Sequence, residues 1–168
     1  MNVNDLLTEA FDRLPDLVRS AVDGLTPEQL CTPPAAEANT VAWLVWHLAR
    51  IQDSHLAELT GEEQVYVTGD RAQRFGLKPD PEDNGYSHTA AQVLAVRPES
   101  SAVLVDYYQA VHERTLAYLG GLTAADLDRV VDEAWDPPVT LGVRLVSVLN
   151  DDLQHVGQAA YVRGLLER

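Results

Sequence analysis

Asp151 and His155 stand four residues apart in a stretch, 141–166, whose apolar residues recur at spacings of three and four. In a helix that spacing stacks two side chains on one face, with Cβ atoms about 5–6 Å apart, and suits two ligands of one metal ion. Leu141, Leu145, Val148, Leu149, Leu153 and Val156 supply a core-facing stripe around them. An acid and an imidazole there need a partner, because an unpaired buried charge costs too much to keep. His47 is the obvious third group, in a run from Val41 to Leu48 that is apolar nearly all round, as in a helix central to a core. Two imidazoles and one carboxylate leave a fourth position open, the pattern of catalytic zinc. Nickel or Fe(II) could use the same donors. A purely structural reading makes His47 and His155 satisfied core histidines and Asp151 the salt-bridge partner of Arg144 or Arg50.

Other groups surround this trio in helix position. His55 follows His47 by eight residues and so sits on nearly the same side, two turns on. Arg50, His55, Arg144, Gln158 and Tyr161 are the pocket candidates. His88 and His112 read as structural or exposed, with a lining role as the alternative. Asp152 reads as a solvated neighbour or as an acceptor for an imidazole N–H. Cys31 is the sole cysteine, which rules out an intrachain disulfide and reads as a structural thiol. No Gly-x-Ser-x-Gly, P-loop or dinucleotide fingerprint is present, so those chemistries have no support.

Four long helices must position the trio. Periodicity predicts the first over 4–23, capped by Asn4 or Asp5, stopped by Gly24, and kinked or split at Pro15. The second runs over 41–60 from Asn39 or Thr40 to Gly61, the third over 99–119 to Gly120, and the fourth over 141–166. Residues 61–98 are broken repeatedly by glycine and proline. They read as a crossover that packs across the molecule and shapes a pocket, with a short helix from the capping box Thr89 to Gln92. A faint repeat runs through the chain. Gly24-Leu25-Thr26, a short turn, a proline-containing connector and Thr40 are matched by Gly121-Leu122-Thr123, a short turn, a connector and Thr140. Two similar helical hairpins joined by one long crossover make an all-α four-helix bundle, with the second and fourth helices facing each other.

At 168 residues the chain is expected to form one domain, 1–168, with a sizeable core. A formal charge of −14 opposes nucleic acid and anionic membrane surfaces, and neither is expected as a partner. Met1 to Asp5 carries no basic n-region and no long apolar run, so no signal peptide is expected and the cytoplasm is the expected location. Eleven of the 12 basic residues are arginine, which suggests a GC-rich coding bias.

Three segments carry a family resemblance. They are the run Asn39 to Asp53 with Trp43, Trp46, His47 and Arg50; the segment Trp135-Asp136-Pro137-Pro138-Val139-Thr140; and the run Val143 to Gly164 with Asp151, His155, Gln158, Tyr161 and Arg163. Together these resemble the DinB superfamily, and within it the actinobacterial branch of mycothiol-dependent enzymes of the maleylpyruvate isomerase and mycothiol transferase type. The resemblance implies a bundle holding a divalent metal, commonly zinc or nickel, through one His of the second helix and two ligands four residues apart on the last. His47, Asp151 and His155 match those positions. The commonest pattern has His or Glu where this chain has Asp151, whose side chain is shorter than Glu by one methylene. The resemblance further implies a thiol S-transferase, in which the metal activates the thiol of mycothiol or a similar molecule for attack on a small electrophile. A metal-dependent hydrolase using water as nucleophile, and a non-catalytic metal-binding stress-response module, are the alternatives. The expected partners are the thiol and the electrophile, with a homodimer also allowed.

Overall fold

The computed structural model describes residues 1–167. The first predicted helix forms as two, α1 (Val3–Phe11) and α2 (Leu14–Val22). Asn2, two residues before the nearer of the expected caps, caps α1 through a capping box with Asp5. Pro15 falls in the first turn of α2, where its missing N–H leaves no bond unmade. After α3 (Pro27–Leu30) comes α4 (Val41–Thr60), capped by Thr40 Oγ1, which accepts from the Trp43 amide at 3.1 Å. Gly61 ends α4 in the left-handed conformation, with φ 71°.

The crossover contains a 3-10 turn at Val65–Val67, α5 (Arg71–Arg74) and α6 (Ala90–Ala95). Then follow α7 (Ser101–Gly120), a 3-10 turn at Ala124–Asp128, strands β1 (Val130–Asp132) and β2 (Val139–Thr140), and α8 (Leu141–Leu166). The strands pair antiparallel with one irregularity in register, within a segment read from sequence as plain connector. Among the described residues, no helix is long and apolar enough to cross a membrane.

The bundle is all-α in its layers, with the small hairpin as an appendage. The largest helix contact is between α4 and α8, as the repeat predicts, and Thr140 caps α8 as Thr40 caps α4. Helix α4 is the centre of the core, with every residue from Val41 to Arg50 buried. Leu153 departs from the predicted stripe. It is 45% exposed, because the α8 core face turns through Leu145, Val148, Asp152, Val156 and Ala159.

Two charged side chains fasten the crossover to α4. Arg50, fully buried, donates to the backbone oxygens of Asp80, Pro81 and Asp83 and to Gln64 Oε1, with its guanidinium carbon 4.2 Å from the Tyr66 ring centre. One turn on, the buried Asp53 carboxylate accepts from the Val65 and Tyr66 amides and from the Tyr107 hydroxyl at 2.8–2.9 Å. These bonds satisfy an otherwise irregular stretch of backbone and lay it over one side of α4.

Candidate metal centre

Helices α4 and α8 bring His47, Asp151 and His155 together, and one donor atom from each lies within 4.8 Å of the others. Zinc–donor bonds of 2.0–2.2 Å in tetrahedral geometry set donors about 3.3–3.6 Å apart, so the set would contract by up to about 1.5 Å around an ion. The two imidazole rings meet edge to face with centroids 4.8 Å apart, and Trp43 stacks on His47 at 4.6 Å.

Each imidazole is oriented through its Nδ1. The ring of His47 contacts the backbone oxygen of Asn84 through Nδ1, and that of His155 contacts Gln158 Oε1 at 2.9 Å. With acceptors on both Nδ1–H groups, each ring has its Nε2 free for the common centre. Metal-binding histidines are usually held in this way. His155 Nε2 lies 3.5 Å from Asp151 Oδ1. The other carboxylate oxygen, Asp151 Oδ2, is buried without a hydrogen-bond partner among the described residues. An orphaned carboxylate oxygen beside two oriented imidazoles fits a divalent cation, which would satisfy it.

The two imidazoles titrate differently. Burial lowers the pKa of His47, partly opposed by the Asn84 carbonyl, so its neutral form is favoured. The Asp151 carboxylate raises that of His155 against the effect of burial, with Gln158 assisting.

The crossover touches His47 through the Asn84 carbonyl and, next to it, through Gly85. Gly85 has φ +93°, and a Cβ built there would come within 2.8 Å of His47 Nδ1 and 2.9 Å of the Trp46 ring. The backbone therefore approaches the imidazole closely only because it carries no side chain. Behind it, Trp43 Nε1 donates to His88 Nδ1 at 3.1 Å and His88 Nε2 donates to Asp83 Oδ1 at 2.7 Å. His88 thus positions the loop beside the trio and is not one of the three donors.

Of the pocket candidates, Gln158 is the one bonded to the trio. Arg50 is spent on the crossover, and no bond of its own reaches Asp151. Arg144 donates to His55 Nδ1 at 2.7 Å and to Asp132 Oδ2 at 2.8 Å, forming a separate polar group beside a cavity of about 240 Å³. Tyr161 is 69% exposed on the outer side of α8. His112 is buried and donates from Nε2 to Asp12.

Asp152 corrects the sequence reading. It is fully buried, neither oxygen has a hydrogen-bond partner among the described residues, and no imidazole bonds to it. Burial, and then the neighbouring Asp151, push its pKa well above the usual carboxylate range. At 100° from Asp151 around the helix, it faces the core rather than solvent.

Fold and site together define a helical-bundle protein with a three-donor His/Asp/His centre between α4 and α8. The chain belongs to the DinB superfamily, which it matches over residues 10–159 and whose members often bind metal. A solved structure described as a conserved protein from Enterococcus faecalis has a TM-score of 0.90 and 32% identity, covering 99% of this chain and 98% of that one. No curated protein matches.

Proposed function

We propose that the protein is a divalent-metal-dependent S-transferase that joins a low-molecular-weight thiol of the mycothiol type to a small electrophile. The observation that carries this reading is the convergence of His47, Asp151 and His155 around the orphaned Asp151 oxygen. The likeness of the runs at 39–53 and 143–164 to mycothiol-dependent enzymes selects the thiol. Zinc is the first choice of metal, with nickel and iron as alternatives.

A divalent cation in this centre would supply the positive charge that lowers the pKa of a thiol and favours its thiolate. His47 and His155 would hold it through Nε2 and Asp151 through its carboxylate. The Asn84 carbonyl and Gln158 Oε1 keep the rings turned with their N–H groups away from the centre. Trp43 covers one face of His47 and limits access of water from that side. In the reaction the sulfur–carbon bond forms as the bond from carbon to its leaving group breaks, and the thiol proton departs with that group.

Elemental analysis of protein purified without a metal-affinity tag should find about one divalent ion per chain. His47→Ala and His155→Ala should each lose it. Wild type should conjugate mycothiol to monochlorobimane faster than glutathione and should stop when a chelator is added. Metal-loaded protein that consumes no thiol across a panel of electrophiles overturns the transferase reading, and a folded protein that never binds metal overturns the centre itself.

A further inference from the structure

The cavity of about 240 Å³ beside Arg144 shares no residue with the metal centre. Glu58 and Leu59 line it from the end of α4, Arg129, Val130 and Val131 from the hairpin, and Arg144 from α8. Bonds among these elements fix its walls. Arg144 ties α8 to α4 through His55 Nδ1 at 2.7 Å and to β1 through Asp132 Oδ2 at 2.8 Å. Arg129 ties the hairpin to α7, donating from Nη2 to the Tyr118 hydroxyl at 3.0 Å, and its backbone oxygen accepts from the Leu141 amide at 2.8 Å. A site held in this way loses little entropy when a ligand enters.

Two opposite charges on this cavity are left unspent. A guanidinium has five N–H donors, and Arg129 gives one of them to an uncharged hydroxyl. The acids nearby, Glu58 and Asp132, lie against Arg144 instead, and among the described residues no carboxylate pairs with Arg129. Asp132 is satisfied on both oxygens, by the Ala134 amide and by Arg144. Glu58 is not. Its carboxylate lies 3.3 Å from His55 Nδ1, but that nitrogen already accepts from Arg144 and has no proton to give. Arg144 itself is 3.7 Å from Glu58, beyond hydrogen-bond length.

We propose that this cavity binds a small zwitterion of the α-amino acid type, with its carboxylate on Arg129, its ammonium on Glu58 and an apolar side chain against Leu59, Val130 and Val131. The forked guanidinium matches a planar carboxylate, and a compact ammonium suits a single carboxylate partner. A plain anion would meet Glu58 as a like charge, a plain cation would meet Arg129, and an apolar molecule would cover both charges unpaired. Overall charge favours the same choice. At −14 the chain repels anions, and a zwitterion approaches without net charge. The volume lies just below the range of about 300–1,000 Å³ typical of drug-sized ligands, which fits a single amino acid. The site stands whether or not the metal centre activates a thiol.

Amide NMR of isotope-labelled full chain, with each common amino acid added from about 10 µM to about 10 mM, should show saturable shifts at Leu59, Val130 and Val131. Leucine should bind at least tenfold more tightly than isocaproate, which lacks the ammonium, and isoamylamine, which lacks the carboxylate. Arg129→Gln should weaken leucine at least tenfold without weakening isoamylamine, and Glu58→Gln should do so without weakening isocaproate. Both side chains are exposed, so the remaining amides should keep their folded positions. Arg13→Gln, on α1, should bind leucine as wild type does, and a chelator should change nothing. The proposal is overturned if no amino acid shifts these amides, if isocaproate or isoamylamine binds as tightly as leucine, or if both cavity variants keep wild-type affinity.

Discussion

His155 is the residue at which proton and metal compete. Without metal its imidazole is held between Asp151 and Gln158, and Asp151 raises its pKa above the ordinary value of about 6.5. A cation must take the place of the Nε2 proton, so metal affinity should be full above the raised pKa and fall about tenfold per pH unit below it. Because the shift is upward, the decline should begin above pH 6.5, which metal titration calorimetry across pH 5.5–8 would detect. Gln158→Ala removes the Nδ1 acceptor and should weaken metal binding by about 10–100-fold while the fold stays intact. Asp151 and His155 were legible as a pair because i, i+4 spacing fixes a common face whatever the tertiary context, and His47 was reached only through the repeat that sets α4 opposite α8. Asp152 was not legible. An acid next to another acid on a partly polar helix reads as solvated, and only the packing of α8 against Tyr108 and its neighbours puts it inside.

The crossover determines whether α4 presents His47 correctly. Arg50→Ala would leave three backbone carbonyls and the buried Asp53 carboxylate without their cation, a loss that typically costs about 3–5 kcal/mol. Urea denaturation should show it, and Arg50→Lys should recover only part, because an ammonium cannot reproduce the fork of donors. Gly85→Ala should cost about 1–3 kcal/mol through its left-handed backbone, and more through contact with His47. Its signature would be weaker metal binding at a temperature where the protein is still folded. Helices α4, α7 and α8, the Thr40 and Thr140 caps and the pairing of α4 with α8 were readable from periodicity and the Thr40/Thr140 repeat, whereas the Asn2 cap of α1 was not. The contents of 61–98 were not, since helices of four to six residues show no period. In sequence, Arg50 and Asp53 resemble any i, i+3 pair, and their partners lie 12 to 54 residues away.

For the molecule as a whole, a ligand of the folded state alone adds stability by mass action. At a free metal concentration 100 times its dissociation constant the gain is about 2.7 kcal/mol. For a chain of this length that corresponds to a rise of about 5–11 °C in melting temperature, reversed by chelator and absent in His47→Ala. Calorimetry of apo and loaded protein would measure it. The order of the chain adds a constraint on biosynthesis. His47 and α4 are made 104 residues before Asp151, and at about 5–20 residues per second α4 waits about 5–20 s for α8. During that interval the central helix of the core lacks its principal cover and the centre has one donor of three. A nascent chain halted before residue 141 should recruit chaperones that bind exposed apolar surface and should not take up metal, so loading belongs to the finished protein and competes with the metal buffers of its compartment.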